Sequence, residues 1–355
     1  MAPSAAAAMQ PSALEPEPEP EPRAAAATAQ PTAAEVCARD GLMALFDLGR
    51  PVTVCAPMVR YSKLPFRLLV RDWGCDVAYT PMIVADSFVN APQARANEFS
   101  TCAADRPLVA QFGSNNAHQL ATAAAMIQEH VDGIDINMGC PQRWAMRDGM
   151  GAALLREVET VREMVRLVTS ATALPFSAKI RIDPELPRTV DLVRQLEATG
   201  VSFITVHGRT CHMRSSDPVD LEAVKLVKET VSIPVLANGD VNSLDDMDLV
   251  VAKTGVDGVM SARGILANPA MFHPNRYATP PIAAVEEYVQ HAMRYGPPTS
   301  FAIMHHHLQY MLEKHLSALD RKEFNELMSA PGVFDFLRSK GMRLRPRAAA
   351  AGIVA

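Results

Sequence analysis

Eight short apolar runs rich in β-forming residues recur along the middle of the chain, separated by stretches of helical length. They are TVCAPM (53–58), VAYTPMI (77–83), LVAQFG (108–113), GIDINMG (133–139), FSAKIRI (176–182), FITVHG (203–208), IPVLANG (233–239) and GVMSARG (258–264). Helices are expected between them, for example over 118–129, 158–170, 189–198, 220–229 and 244–252. Strands that alternate with helices lie parallel, because a parallel neighbour is reached only through a long crossover. Eight such units between 53 and 264 favour a closed barrel over an open doubly wound sheet, which would want G-x-G-x-x-G after its first strand and has none. Strand signals stop after Phe272, and 281–342 reads as helices with a break at Pro297-Pro298. The expected fold is therefore α/β: a (β/α)8 TIM barrel over 50–275, then a small helical domain over 281–344.

The flanks differ in kind. Residues 1–36 contain 13 Ala and 7 Pro, including the Glu-Pro repeat from Glu15 to Pro22, so they have little to bury and are expected to form a disordered tail. Residues 345–355 are expected to be a flexible tail as well. The net charge of −5 comes largely from the five glutamates of the first 36 residues, set against Arg23 alone. The remainder is near neutral and carries no overall basic signature. No run approaches the roughly 18 consecutive apolar residues of a membrane span, so no membrane partner is expected. The six cysteines form no C-x-x-C pair, which fits a reducing compartment and offers no metal site. The N-terminus has neither a secretory nor a mitochondrial pattern, so the expected location is cytoplasmic, with the nucleus also open, and the expected state is a monomer.

Catalytic groups in barrels of this kind sit at the C-terminal ends of the strands, and here polar residues crowd those ends. Gln111 closes the third run, Asn137 and then Cys140 the fourth, Lys179 and Arg181 the fifth, His207 the sixth, Asn238 the seventh and Arg263 the eighth. Stability alone does not require amide, thiol, ammonium, imidazole and guanidinium to converge on one rim. The last two strand ends, Asn238-Gly239-Asp240 and Ala262-Arg263-Gly264, suit a phosphate-bearing cofactor, because small residues and backbone N–H groups let an anion approach closely. Either glycine alone would be explained equally well by a tight turn.

These motifs, in order from about Val52 to Phe272, together with Ala56-Pro57-Met58, Asn137-Met138-Gly139-Cys140-Pro141, Ala178-Lys179-Ile180-Arg181 and Val206-His207-Gly208-Arg209-Thr210, resemble the flavin-dependent tRNA-dihydrouridine synthases. Met58 to Lys63, Tyr79 to Met82 and Cys140 to Met146 look most like the eukaryotic subgroup that modifies positions 20a and 20b of the D-loop. The resemblance implies FMN as cofactor, NADPH or NADH as reductant and tRNA as partner. It places the flavin phosphate at Arg263, Gly264 and the Asn238-Gly239-Asp240 loop, with Ala262 beside it, and the ring over Ala56, Pro57 and Met58. Gln111 and Asn238 then supply hydrogen bonds, and Lys179 assisted by His207 supplies positive charge. Cys140 becomes the proton donor opposite the flavin, since an ordinary thiol with a pKa near ~8.5 is mostly protonated at neutral pH. Asn137, Arg143, Arg181 and Arg209 become candidate substrate contacts, joined by Trp144, Arg147 and Arg214. The helical domain, with His305, His306, His307, Lys314, Arg321 and Lys322, becomes the tRNA-holding surface. Met138, where relatives often carry a small residue, is expected to crowd the thiol loop.

Plainer readings stand beside these. Cys55, Cys75 and Cys102 read as packed small hydrophobes. Lys179 could form a structural ion pair, and Arg143 and Arg147 a solvated helical face. The adjacent histidines 305–307 point in different directions on a helix and cannot share one metal, which leaves a solvated or RNA-facing helix. Two rival functions remain: a flavin barrel acting on a free pyrimidine, and a catalytically weak tRNA-binding protein.

Overall fold

The computed structural model describes residues 31–295 and 301–344. Most of the N-terminal tail, the whole C-terminal tail and the Pro297-Pro298 break lie outside the described residues. The tail expectation is corrected at its end, where a helix begins at Ala33 and runs to Asp40. Thr32 and Glu35 close a reciprocal capping box, and Ala33, Val36 and Cys37 are buried.

Nine parallel strands make one sheet. They are β1 (Val52–Cys55), β2 (Val77–Tyr79), β3 (Ile83–Val84), β4 (Leu108–Gly113), β5 (Gly133–Met138), β6 (Phe176–Arg181), β7 (Phe203–His207), β8 (Val235–Asn238) and β9 (Gly258–Ser261). Pairing of β1 with both β2 and β9, and of β2 with β4, closes eight of them into the expected barrel. The ninth strand corrects the single run expected over 77–83. Pro81 has no N–H to give a ladder, so the run breaks into β2 and a two-residue β3 that pairs only with the far end of β4.

Strand side chains alternate between two environments. Ile134, Ile136 and Met138 of β5, Ala178 and Ile180 of β6, and Ile204 and Val206 of β7 belong to the shared apolar cluster that the surrounding helices also build. The alternate positions turn into the barrel. At its N-terminal end the interior is apolar: Val52, Val54, Val77, Phe203, Leu236 and Met260 close around Leu42 and Leu45 of a 3-10 helix, Leu42–Asp47. This plug lies just after the first helix and is not among the expected elements. Toward the C-terminal end the inward positions become polar, with Gln111 opposite Asp135, Asn137 opposite Lys179, and Arg181 and Asn238 on either side of His207.

The C-terminal helices, Ile282–Tyr295, Phe301–Leu312, Ala318–Asn325 and Ala330–Ser339, share the large apolar cluster with the barrel. Helix Phe301–Leu312 corrects the histidine expectation. His305 and His307 are buried rather than solvent- or RNA-facing. A neutral imidazole carries one ring hydrogen, so the Nε2–H of His305 donates to the Phe324 carbonyl (2.8 Å) and that of His307 to the Tyr61 carbonyl (3.0 Å). His307 stacks on Phe66, and burial pushes its imidazole down to about 3. Only His306 of the three is exposed.

Candidate active site

Cys140 sits two residues beyond β5 and is partly exposed. Its loop is fixed from three sides. Asn137 Oδ1 accepts from the N–H groups of Gly139 (3.1 Å) and Cys140 (2.9 Å). The Cys140 carbonyl accepts from Ala152 N–H at 3.0 Å. Arg181 donates from Nε to the Gly139 carbonyl (2.8 Å) and from Nη1 to the Thr210 carbonyl (3.0 Å), tying the thiol loop to the loop after β7. Gly151, at φ +63, lies so close that a Cβ there would meet the Cys140 carbonyl oxygen at 2.6 Å and the Cys140 Cβ at 2.9 Å. Met138 does not crowd the loop. It is fully buried in the helix-facing cluster, on the strand face opposite Asn137.

Beneath the loop, Gln111 is buried, with its Oε1 accepting from Asn137 Nδ2 at 2.9 Å and its Nε2 donating to Asp135 Oδ2 at 2.8 Å. Burial pushes the Asp135 carboxyl up to about 7, against the Ser177 and Gln111 hydrogen bonds and the positive charge of Lys179. Lys179 is partly buried and has no hydrogen bond or salt bridge among the described residues. Burial, then Arg181, push its ammonium down to about 8. The ion-pair reading of Lys179 is therefore not met by any contact, and an anionic or acceptor ligand at the mouth would complete the site.

His207 is neutral. Its Nε2 lies 3.3 Å from Arg209 Nη1, and because a guanidinium only donates, that nitrogen must accept, which leaves the hydrogen on Nδ1. Burial first, then the surrounding cations Lys179, Arg181, Arg209 and Arg263, push the imidazole down to about 2. His207 thus adds an N–H donor rather than a second charge, which is how it can assist Lys179.

The last two strand ends form a cradle. A cavity of about 80 Å3 lies among His207, Asn238, Gly239, Ser261, Arg263 and Gly264, well above the roughly 10–15 Å3 that one water needs. A Cβ on Gly264 would meet the Val241 carbonyl oxygen at 2.4 Å and Asn242 Cα at 2.6 Å, and Gly239 takes φ +121. The residues present therefore fit a phosphate group, through close backbone and the exposed Arg263. Two assignments change here. Asp240 carries negative charge into the cradle, and its carboxylate is engaged by Arg209 and by Arg263 Nη2 (2.8 Å). Arg209 is buried against Asp240, with Nε on the Asp217 carbonyl at 2.6 Å, so it braces the cradle and is not a free contact for substrate. Asn238 is also committed, its Nδ2 donating to the Met260 carbonyl at 2.8 Å.

Ala56 is buried, with Pro57 and Met58 partly exposed behind it at the end of β1. Ala56 N–H donates to the Ser261 carbonyl at 3.0 Å, which joins this edge of the mouth to the cradle strand β9. Arg143, Trp144 and Arg147 lie exposed on the rim helix Arg143–Arg147, and Arg214 is exposed in the loop after β7. No group of three His, Cys, Asp or Glu able to hold a metal occurs among the described residues. Sequence reasoning missed Asp135, Ser177 and Gly151. The first two were visible as polar residues two positions before Asn137 and Lys179 on the same inward face; Gly151 left no signal beyond its type.

Residues 54–328 match the dihydrouridine synthase (Dus) family. A tRNA-dihydrouridine(20a/20b) synthase-like protein of Mus musculus is 50% identical over 296 residues, covering 82% of this chain and 90% of that protein. Its Homo sapiens counterpart is 49% identical over 296 residues, covering 82% and 92%. The tRNA-dihydrouridine(20a/20b) synthase of Schizosaccharomyces pombe is 45% identical over 299 residues, covering 84% and 90%. With the thiol loop, the lone ammonium and the glycine cradle on one barrel rim, the chain belongs to the dihydrouridine synthase family.

Proposed function

We propose that this protein reduces the C5=C6 bond of a uridine in tRNA, at positions 20a and 20b of the D-loop, using FMN and NADPH or NADH. The observation that carries the reading is a partly exposed thiol held by three sets of hydrogen bonds at the rim of a barrel whose mouth contains an ammonium with no hydrogen bond or salt bridge among the described residues. Bound FMN supplies the hydride chemistry at this mouth. The chain's own residues do the rest. Cys140 holds the proton that C5 of the base takes up, and Asn137 and Arg181 fix where its sulfur sits. Lys179 and the His207 Nδ1–H offer positive potential and a donor to the electron-rich edge of the ring. Arg263, Gly264 and the backbone of Gly239 and Asp240 hold the phosphate, and Ala56, Pro57 and Met58 floor the mouth.

A stacked uridine must turn out of its loop to reach such a rim, at a cost of a few kcal/mol that is smallest in an open loop. Exposed Arg143, Trp144, Arg147 and Arg214 surround the rim as contacts for base and phosphates. The tRNA body is held at an open cleft of about 690 Å3 lined by Tyr61, His306, Tyr310, Arg321 and Lys322, with exposed Lys314 nearby in sequence. The barrel and the helical region act together as catalytic and tRNA-holding domains of a monomer. Six free thiols suit a cytoplasmic or nuclear setting.

The test is oxidation of the reduced holoenzyme by alternative acceptors. Undermodified tRNA should reoxidise it with dihydrouridine appearing at 20a and 20b, and free uridine should not. Equal reoxidation by free uridine or another free pyrimidine would replace this reading with a small-molecule reductase. Purified protein that takes up no flavin would replace it with a tRNA-binding protein.

A further inference from the structure

Inside the barrel a single line of hydrogen bonds runs from the core to the thiol loop. Ser177 Oγ donates to Asp135 Oδ1 at 2.6 Å and Gln111 Nε2 to Asp135 Oδ2 at 2.8 Å. Asn137 Nδ2 donates to Gln111 Oε1 at 2.9 Å, and Asn137 Oδ1 accepts the Gly139 and Cys140 N–H groups at 3.1 and 2.9 Å. Asp135 is fully buried, Ser177 likewise, and Gln111 nearly so.

We propose that Asp135 is a positioning residue that sets the direction of this relay, orienting the Gln111 and Asn137 amides and through them the backbone that carries Cys140. The reasoning is one of donors and acceptors. A carboxylate oxygen only accepts, so Gln111 must turn Nε2 toward it and Oε1 away. Oε1 then demands the Asn137 nitrogen, and Asn137 Oδ1 is left for the two backbone N–H groups. Reversing Asn137 sets its nitrogen against the Gly139 and Cys140 N–H groups, and reversing Gln111 sets its oxygen against the carboxylate and its nitrogen against Asn137 Nδ2, leaving buried groups unpaired. Ser177 makes the anchor tolerant, because a hydroxyl accepts as readily as it donates. When the carboxyl takes a proton, that proton sits on the Ser177 side and Oδ2 still faces Gln111. The relay also leaves one hydrogen on each amide nitrogen uncommitted.

This inference rests on the proposed function only for the purpose of the loop, and its test reads the loop directly. In FMN-loaded protein, hydrogen exchange of the Gly139 and Cys140 amides is measured by mass spectrometry, alongside the alkylation rate of Cys140 by iodoacetamide. Asp135→Leu should raise both by about tenfold, the order expected for losing one net hydrogen bond. Asn137→Ala should do the same, and adding Asp135→Leu to it should bring no further change, since the two act along one line. Asp135→Asn should stay near wild type, offering Oδ1 to Gln111 and Nδ2 to Ser177. Unchanged exchange in a folded Asp135→Leu, additive loss in the double variant, or an Asp135→Asn as open as Asp135→Leu each overturns the proposal. Should Asp135→Leu not fold, Gln111→Met at saturating FMN carries the test: an equal rise supports the relay, and wild-type exchange overturns it. None of these outcomes depends on whether tRNA is the oxidant.

Discussion

The two ends of the barrel interior are built on opposite rules. At the N-terminal end Leu42 and Leu45 plug an apolar ring of Val52, Val54, Val77, Phe203, Leu236 and Met260. At the C-terminal end β5, β6, β7 and β8 bring in Asn137, Lys179, His207 and Asn238, and burial there displaces the pKa values of Asp135, Lys179 and His207. Hydrocarbon burial stabilises the first at about 25 cal/mol per Å2. The second holds charge and donors that folding by itself does not need. One end of the barrel thus makes it stand, and the other spends some of that stability on a polar mouth.

The sharpest separation should come from the thiol. Cys140→Ala removes the proposed proton donor and leaves the backbone hydrogen bonds of its loop available. Dihydrouridine formation in tRNA should fall by about a hundred- to ten-thousand-fold, the range of general-acid contributions. Reduction of bound FMN by NADPH, followed in a stopped-flow spectrometer, should keep its wild-type rate. If both half-reactions slow together, the thiol serves the mouth's structure instead.

Gly264→Ala tests the cradle. The added Cβ cannot coexist with the Val241 carbonyl and Asn242 Cα, so the backbone must shift. Overpacking of that kind costs about 1–3 kcal/mol. FMN affinity, measured by fluorescence titration, should weaken by about tenfold or more, whereas a wild-type affinity would place the phosphate elsewhere.

The plug should show the converse. Leu45 is fully buried, and Leu45→Ala leaves a cavity, costing about 2–5 kcal/mol of stability in denaturant unfolding. Below the melting transition kcat should be unchanged, because Leu42 and Leu45 carry no polar side-chain group that could act in the mouth. A lowered kcat in the folded variant would show that the two ends are coupled.

This contrast also explains what was legible beforehand. Strand and helix periods and the polar strand ends are written locally, so the eight β/α units and the rim residues could be read from the chain. The plug helix could not, because LMALFD is a six-residue apolar run too short to show a period, and where it packs is set by the ring it closes. The histidines misled for a related reason. His305 and His307 look like surface residues until Phe324 and Tyr61 supply carbonyls to their ring nitrogens. Arg209 read as a free cation because its partner Asp240 is 31 positions away in sequence and meets it only when β7 and β8 pair. Local pattern reveals which atoms are available, while their partners are fixed by closure of the sheet.

The smallest effect bears most directly on the cost of the mouth. Lys179 titrates near 8 in the folded protein, below its ordinary 10.5, chiefly because it is buried. Between those two values the unfolded chain holds a proton that the folded chain has released, so stability should rise with pH across that window. The gain should be on the order of 1 kcal/mol once water at the mouth screens the charge. Lys179→Met should erase that slope and raise the melting temperature of the FMN-free protein at pH 7. The loaded enzyme should respond in the opposite sense: whatever the ammonium contributes to FMN binding disappears as pH climbs through about 8. Melting curves of FMN-free and FMN-loaded protein from pH 7 to pH 10 on wild type and Lys179→Met read both slopes. A wild-type curve that parallels the variant in both states would mean that Asp135 neutralises Lys179 before any ligand arrives, and the mouth would then cost the fold nothing.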